Sequence, residues 1–137
     1  VKLARFSLAA LAAMAFLLVV NVVLYPIVFP AGQPEIFRYE REEPLALYNI
    51  LSMLATSILL AYLFPIGYRG RTPWAEGLRF GMLMGLLVKL PWSLYAYAVA
   101  DVVFAGLLTS VLWTVITYGV AGALIGAAYS KVLERSR

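Results

Sequence analysis

The chain of 137 residues has neither cysteine nor histidine. Without cysteine there is no disulfide framework, no thiol nucleophile and no thiolate metal site. Without histidine the usual proton shuttle, the commonest transition-metal ligand and the axial ligand of most haem sites are missing as well. Charge is scarce too. Charged residues make up 13% of the chain and apolar residues 64%, against roughly 25% and roughly 45 to 50% in soluble domains. That balance excludes an ordinary water-soluble fold and points to lipid as the solvent. The net charge of +4 does not point to nucleic acid, because the basic residues lie scattered at the ends of apolar runs rather than clustered.

A helix crosses a hydrocarbon core about 30 Å thick with roughly 20 mostly apolar residues. Residues 4–29, 44–64, 73–100 and 103–130 are runs of that kind. Lipid offers no partner for an unpaired backbone group, and continuous apolar runs lack the alternation of barrel strands, so helices are expected. The predicted fold is therefore all-α: one domain, residues 1–137, of four transmembrane helices in an antiparallel up-down bundle. Pro44 and Pro73 fit first helical positions and Thr72 fits an N-cap, while Glu40, Glu42, Glu43 and Glu76 suit the positive ends of helices.

The charges set an orientation. Lys2, Arg5, Arg69, Arg71, Arg79, Lys131, Arg135 and Arg137 all fall on one side of this topology. On the other side, the first loop sets Arg38 and Arg41 against Glu35, Glu40, Glu42 and Glu43, and the third turn holds Asp101. The positive-inside rule then predicts both termini in the cytoplasm, with the bundle in a prokaryotic inner membrane. The opening VKLARFSLAALAAMAFLLVV also has the basic start and apolar core of a signal peptide. Its apolar run continues past signal length and no small-x-small cleavage site follows promptly, so a retained first helix is expected. Aromatic residues cluster at the expected interfaces: Tyr68, Trp74 and Tyr129 inside, and Tyr25, Tyr48, Trp92, Tyr95 and Tyr97 outside.

Glycine is what the chain has at defined spacing. Gly77, Gly81 and Gly85 recur every fourth residue in the third span, and Gly119, Gly122 and Gly126 share one face of the fourth. Lipid tails are as apolar as leucine, so membrane helices associate by close packing, and small residues let their backbones approach. A seam between the third and fourth helices is expected, with a homodimer interface as the alternative. Gly106, Ser110, Thr114, Thr117 and Ala121 form a second stripe, about 180° from these glycines at about 100° per residue. Its hydroxyls either return hydrogen bonds to their own helix or line a polar path.

Lys89 occupies the position where a fourth glycine of the third span would fall. An ionisable residue within a span is a functional candidate, because its burial is costly. Asn21, in the outer half of the first span, is a candidate partner, and Pro91 leaves the carbonyl of Leu87 without its helical donor. The competing reading is a lysine that snorkels, bonds freed carbonyls or meets a lipid phosphate. Arg79 is expected to pair with Glu76 one turn away, and Asp101 to help start the fourth helix.

The succession EGLRFGMLMGLLVKLPWSLYAYA followed by ITYGVAGALIGAAY resembles a broad group of small four-helix prokaryotic membrane proteins classed as domains of unknown function. The resemblance covers about half the chain, implies four spans, and brings no activity, cofactor or site residue with it; Lys89 departs from the pattern. With no acid-base or nucleophile constellation and no cofactor or metal motif, the expected function is a non-enzymatic subunit, accessory or structural, of an oligomer or of a complex with unlike membrane subunits. The alternative is a small oligomeric transporter or channel for an anionic or small-molecule substrate. In it, Lys89, Asn21, Ser110, Thr114 and Thr117 would line the path.

Overall fold

The computed structural model describes residues 3–29, 46–99 and 101–133. Four helices are long and apolar enough to cross a membrane: α1 (Leu3–Val28), α2 (Ala46–Gly67), α3 (Pro73–Val99) and α4 (Phe104–Leu133). The segment with Pro44, Glu40, Glu42 and Glu43 lies outside the described residues, as do Lys2, Arg135 and Arg137.

The predicted start of the third span holds. Pro73 opens α3 and the carbonyl of Thr72 accepts the Glu76 N–H at 3.0 Å. Gly70 turns the chain between α2 and α3 with a φ of 83°, a left-handed conformation that suits a residue without Cβ. At the other connection Asp101 lies in the turn, while Val103 takes the cap position of α4, its carbonyl accepting the N–H groups of Gly106 and Leu107.

α4 is the central helix. It packs along α3 over most of its length and along α1 on another side, and α1 in turn packs along α2. The core joins Ala9, Ala10 and Ala13 of α1 with Leu60, Ala61 and Phe64 of α2 and Ile125 and Tyr129 of α4. Alanines bring the α1 backbone close, and the larger side chains fill the space that remains. Phe64 sits at the centre of an aromatic group, its ring centroid 6.0 Å from Tyr129 and 5.8 Å from Phe80 of α3. Large apolar side chains such as Leu11, Ile27, Leu59, Leu87 and Ile116 point outward, the arrangement that lipid favours.

Two prolines reshape the expected helices. The second span was predicted to end at residue 64, but α2 runs through Pro65 to Gly67. Pro65 has no N–H for the carbonyl of Ala61, four residues back. The Tyr129 hydroxyl donates to that carbonyl at 3.0 Å and replaces the missing bond. Tyr129 is thus a core residue, 1% exposed, and not the interfacial anchor its sequence position implied.

In α1 the segment Val20–Leu24 is a π turn, with the Tyr25 N–H bonded to the Val20 carbonyl five residues back. A regular α-helix would press the Pro26 ring against the Val22 carbonyl; the wider turn just before it relieves that conflict. The helix then resumes, and Tyr25 and Phe29 meet Trp113 of α4 with ring centroids 6.1 and 5.5 Å apart.

Candidate functional site

The six glycines lie along the α3–α4 contact, within one chain. A methyl on Gly77 would overlap the Gly122 carbonyl and lie 3.2 Å from Gly126 Cα; on Gly81 it would overlap the Tyr118 carbonyl and lie 3.0 Å from Gly119 Cα. A methyl on Gly122 would strike the Gly77 carbonyl, and one on Gly126 the Pro73 carbonyl. Gly119 faces side chains instead, with Met82 Cγ 2.8 Å from the methyl position. Backbone therefore meets backbone along most of the seam, leaving no room for a Cβ.

The contact does not stay on the glycine face of α4. Gly85 stands against Thr114, Val115 and Tyr118, a methyl there falling 3.0 Å from the Thr114 carbonyl oxygen. On α4 the seam thus follows a row of every fourth residue from Gly126 through Gly122 and Tyr118 to Thr114. Each four-residue step advances about 400°, about 40° beyond a full turn at about 100° per residue, so three steps swing the row about 120°. The glycine stripe and the hydroxyl stripe, opposite each other on a helical projection, converge on the same α3 neighbour for this reason.

One further turn on each helix puts Lys89 at the level of Ser110. Lys89 is half-buried, and none of Lys89, Ser93 and Ser110 stands without an interaction partner. The buried Ser93 continues the row beyond Lys89. There, larger residues part the helices around a cavity of about 80 Å³ whose walls include Leu90, Tyr97, Phe104 and Leu107. Lys89 thus marks the change from a glycine-tight contact to a looser apolar one.

Other predicted members of the site fall elsewhere. α1 and α3 have no substantial contact among the described residues, because α4 packs against both, so Asn21 is not brought to Lys89. The Asn21 amide donates to the Leu17 carbonyl of its own helix at 2.8 Å, at the entrance to the π turn. The Thr114 hydroxyl likewise donates to the Ser110 carbonyl at 3.0 Å, while Thr117 is buried farther along α4. The expected Glu76–Arg79 pair is also replaced: the Glu76 carboxylate accepts the backbone N–H of Arg69 at 2.6 Å. The loop folds over the start of α3 and delivers that N–H first.

Sequence reasoning missed the pairing of Tyr129 with the Ala61 carbonyl. A proline inside a helix frees the carbonyl four residues earlier, but the expected second span stopped at residue 64, one short of Pro65, so that signal went unread. Among the described residues no group of three or more acidic, histidine or cysteine side chains comes together as a metal site would require. No known protein family, curated protein or solved structure matches the chain.

Proposed function

We propose that this chain is a non-enzymatic subunit of a membrane assembly, with an accessory or structural role, held in a prokaryotic inner membrane as an antiparallel up-down bundle with both termini in the cytoplasm. The charge asymmetry of the connections carries the orientation. One observation carries the functional reading: four polar side chains in the spans donate to carbonyls of their own helices. Asn21 bonds Leu17, Ser57 bonds Met53, Thr109 bonds Ala105 and Thr114 bonds Ser110, each four residues back. A permeation path presents such groups to its cargo, whereas a packing subunit has them satisfied within the fold. With the small-residue seam occupied inside the chain, assembly uses the remaining faces of α1, α2 and α3.

Native mass spectrometry of the protein extracted gently from its own membranes tests this reading. Unlike subunits in fixed stoichiometry are expected. A closed homo-oligomer that retains a small ligand would overturn it in favour of a transporter. That second reading draws on the convergence of Lys89, Ser110 and Thr114 at the α3–α4 contact. Lys89→Met tests it, because an anion path built on this lysine loses its flux, whereas a packing subunit changes only in assembly or stability.

A further inference from the structure

We propose that the cavity between the end of α2 and the start of α3 holds the phosphate headgroup of an anionic phospholipid. The cavity measures about 220 Å³ and is lined by Gly67, Arg69, Glu76, Arg79, Phe80 and Leu83. It lies where both spans end, the level at which headgroups sit. Its acidic residue is already engaged: Glu76 accepts the Arg69 backbone N–H at 2.6 Å and so fixes the turn over the cavity. Tyr68 donates its hydroxyl to the Arg71 carbonyl and holds the same turn.

Among the described residues neither the Arg69 nor the Arg79 guanidinium is tied to a carboxylate, so two cations face a cavity with one anion. Guanidinium groups match phosphate oxygens in a planar, two-bonded geometry. Phe80 and Leu83 extend the wall along α3 into the span, giving an acyl chain an apolar surface directly below the charged rim. Free phosphate shares the headgroup chemistry but has no use for that lower wall, which is why a lipid is the occupant favoured here. A basic pocket between spans at a membrane surface is the kind of site that selects anionic headgroups.

The inference rests on residence in a bilayer and not on the subunit reading, so failure of one leaves the other standing. The test uses the full chain in detergent, offered equal amounts of dioleoylphosphatidylglycerol and dioleoylphosphatidylcholine, with retained lipid read by native mass spectrometry. The wild type is expected to retain phosphatidylglycerol on the order of tenfold over phosphatidylcholine, and Arg79→Gln to reduce that preference about fivefold. Arg69→Gln combined with Arg79→Gln brings it close to parity, and Arg79→Lys preserves most of it. Arg71→Gln, outside the cavity lining, leaves it unchanged. Because Arg79 is exposed and Glu76 is held by a backbone N–H, the single variant keeps the fold intact. No preference in the wild type, or one that survives both glutamines, would overturn the proposal. Displacement of the lipid by millimolar inorganic phosphate would also overturn it, assigning the cavity to a free anion.

Discussion

Tyr129, Ala61 and Pro65 form a unit that depends on a missing hydrogen. Pro65 withholds the N–H that Ala61 would receive, and a hydroxyl 68 residues away supplies the bond. In a membrane core an unanswered carbonyl is expensive, and neighbouring helices are the usual remedy. Tyr129→Phe is therefore expected to cost about 1 kcal/mol. Combined with Pro65→Ala, which returns the N–H to Ala61, the same change is expected to cost less than about half as much, as read by a double-mutant cycle of unfolding in detergent. Strict additivity would dissociate Tyr129 from Pro65. Thr114 supplies the contrast. Its hydroxyl donates to the Ser110 carbonyl of its own helix, so Thr114→Val is expected to alter stability by no more than about 0.5 kcal/mol, and a loss several times larger would reveal a second role for the hydroxyl. The freed carbonyl went unread because the expected span stopped just before Pro65, and the tyrosine that answers it comes from a helix remote in sequence.

At the scale of elements, the glycines of α3 and α4 were legible because steric size is a local property and their spacing puts them on one face. The convergence with the hydroxyl stripe was not, since a helical projection treats a face as straight and two helices cross along a row that drifts. Gly85 against the Thr114 carbonyl is the visible result. The π turn of α1 was hidden in a different way: an apolar run has the same composition whether or not it holds one extra residue per turn. Deleting Val23 together with Pro26→Ala is expected to give a continuous α-helix that keeps Tyr25 and Phe29 against Trp113. Deleting Leu11 with Pro26 retained rotates everything beyond it by about 100° and breaks that contact. Trp113 emission, measured with Trp74 and Trp92 changed to Phe, distinguishes the two. Equal shifts in both deletions would argue against the π turn as an accommodated insertion.

For the whole molecule, composition and run length were enough to read four helices long and apolar enough to cross a membrane, because both follow from bilayer thickness. The central position of α4 was not readable in the same way. A short connection makes α3 and α4 neighbours, but the contact of α1 with α4 rather than α3 depends on how Ala9, Ala10 and Ala13 fit against Ile125 and Tyr129. That fit separates Asn21 from Lys89, and with them the two ends of the predicted polar path. Lys89→Met is accordingly expected to leave solute flux in reconstituted vesicles unchanged while altering stability or assembly; abolished flux would restore the transporter reading.

The close seam within one chain underlies the fold and, in the proposed subunit role, the choice of faces left for assembly. Its most direct test is Gly81→Ala, measured for thermal stability and, by native mass spectrometry, for subunit stoichiometry. The added methyl meets the Tyr118 carbonyl and Gly119 Cα of the same chain, so the expected result is a loss of about 1 to 3 kcal/mol with the stoichiometry of the folded fraction unchanged. Undiminished stability together with a dissociated assembly would contradict an internal seam and put the glycines between copies.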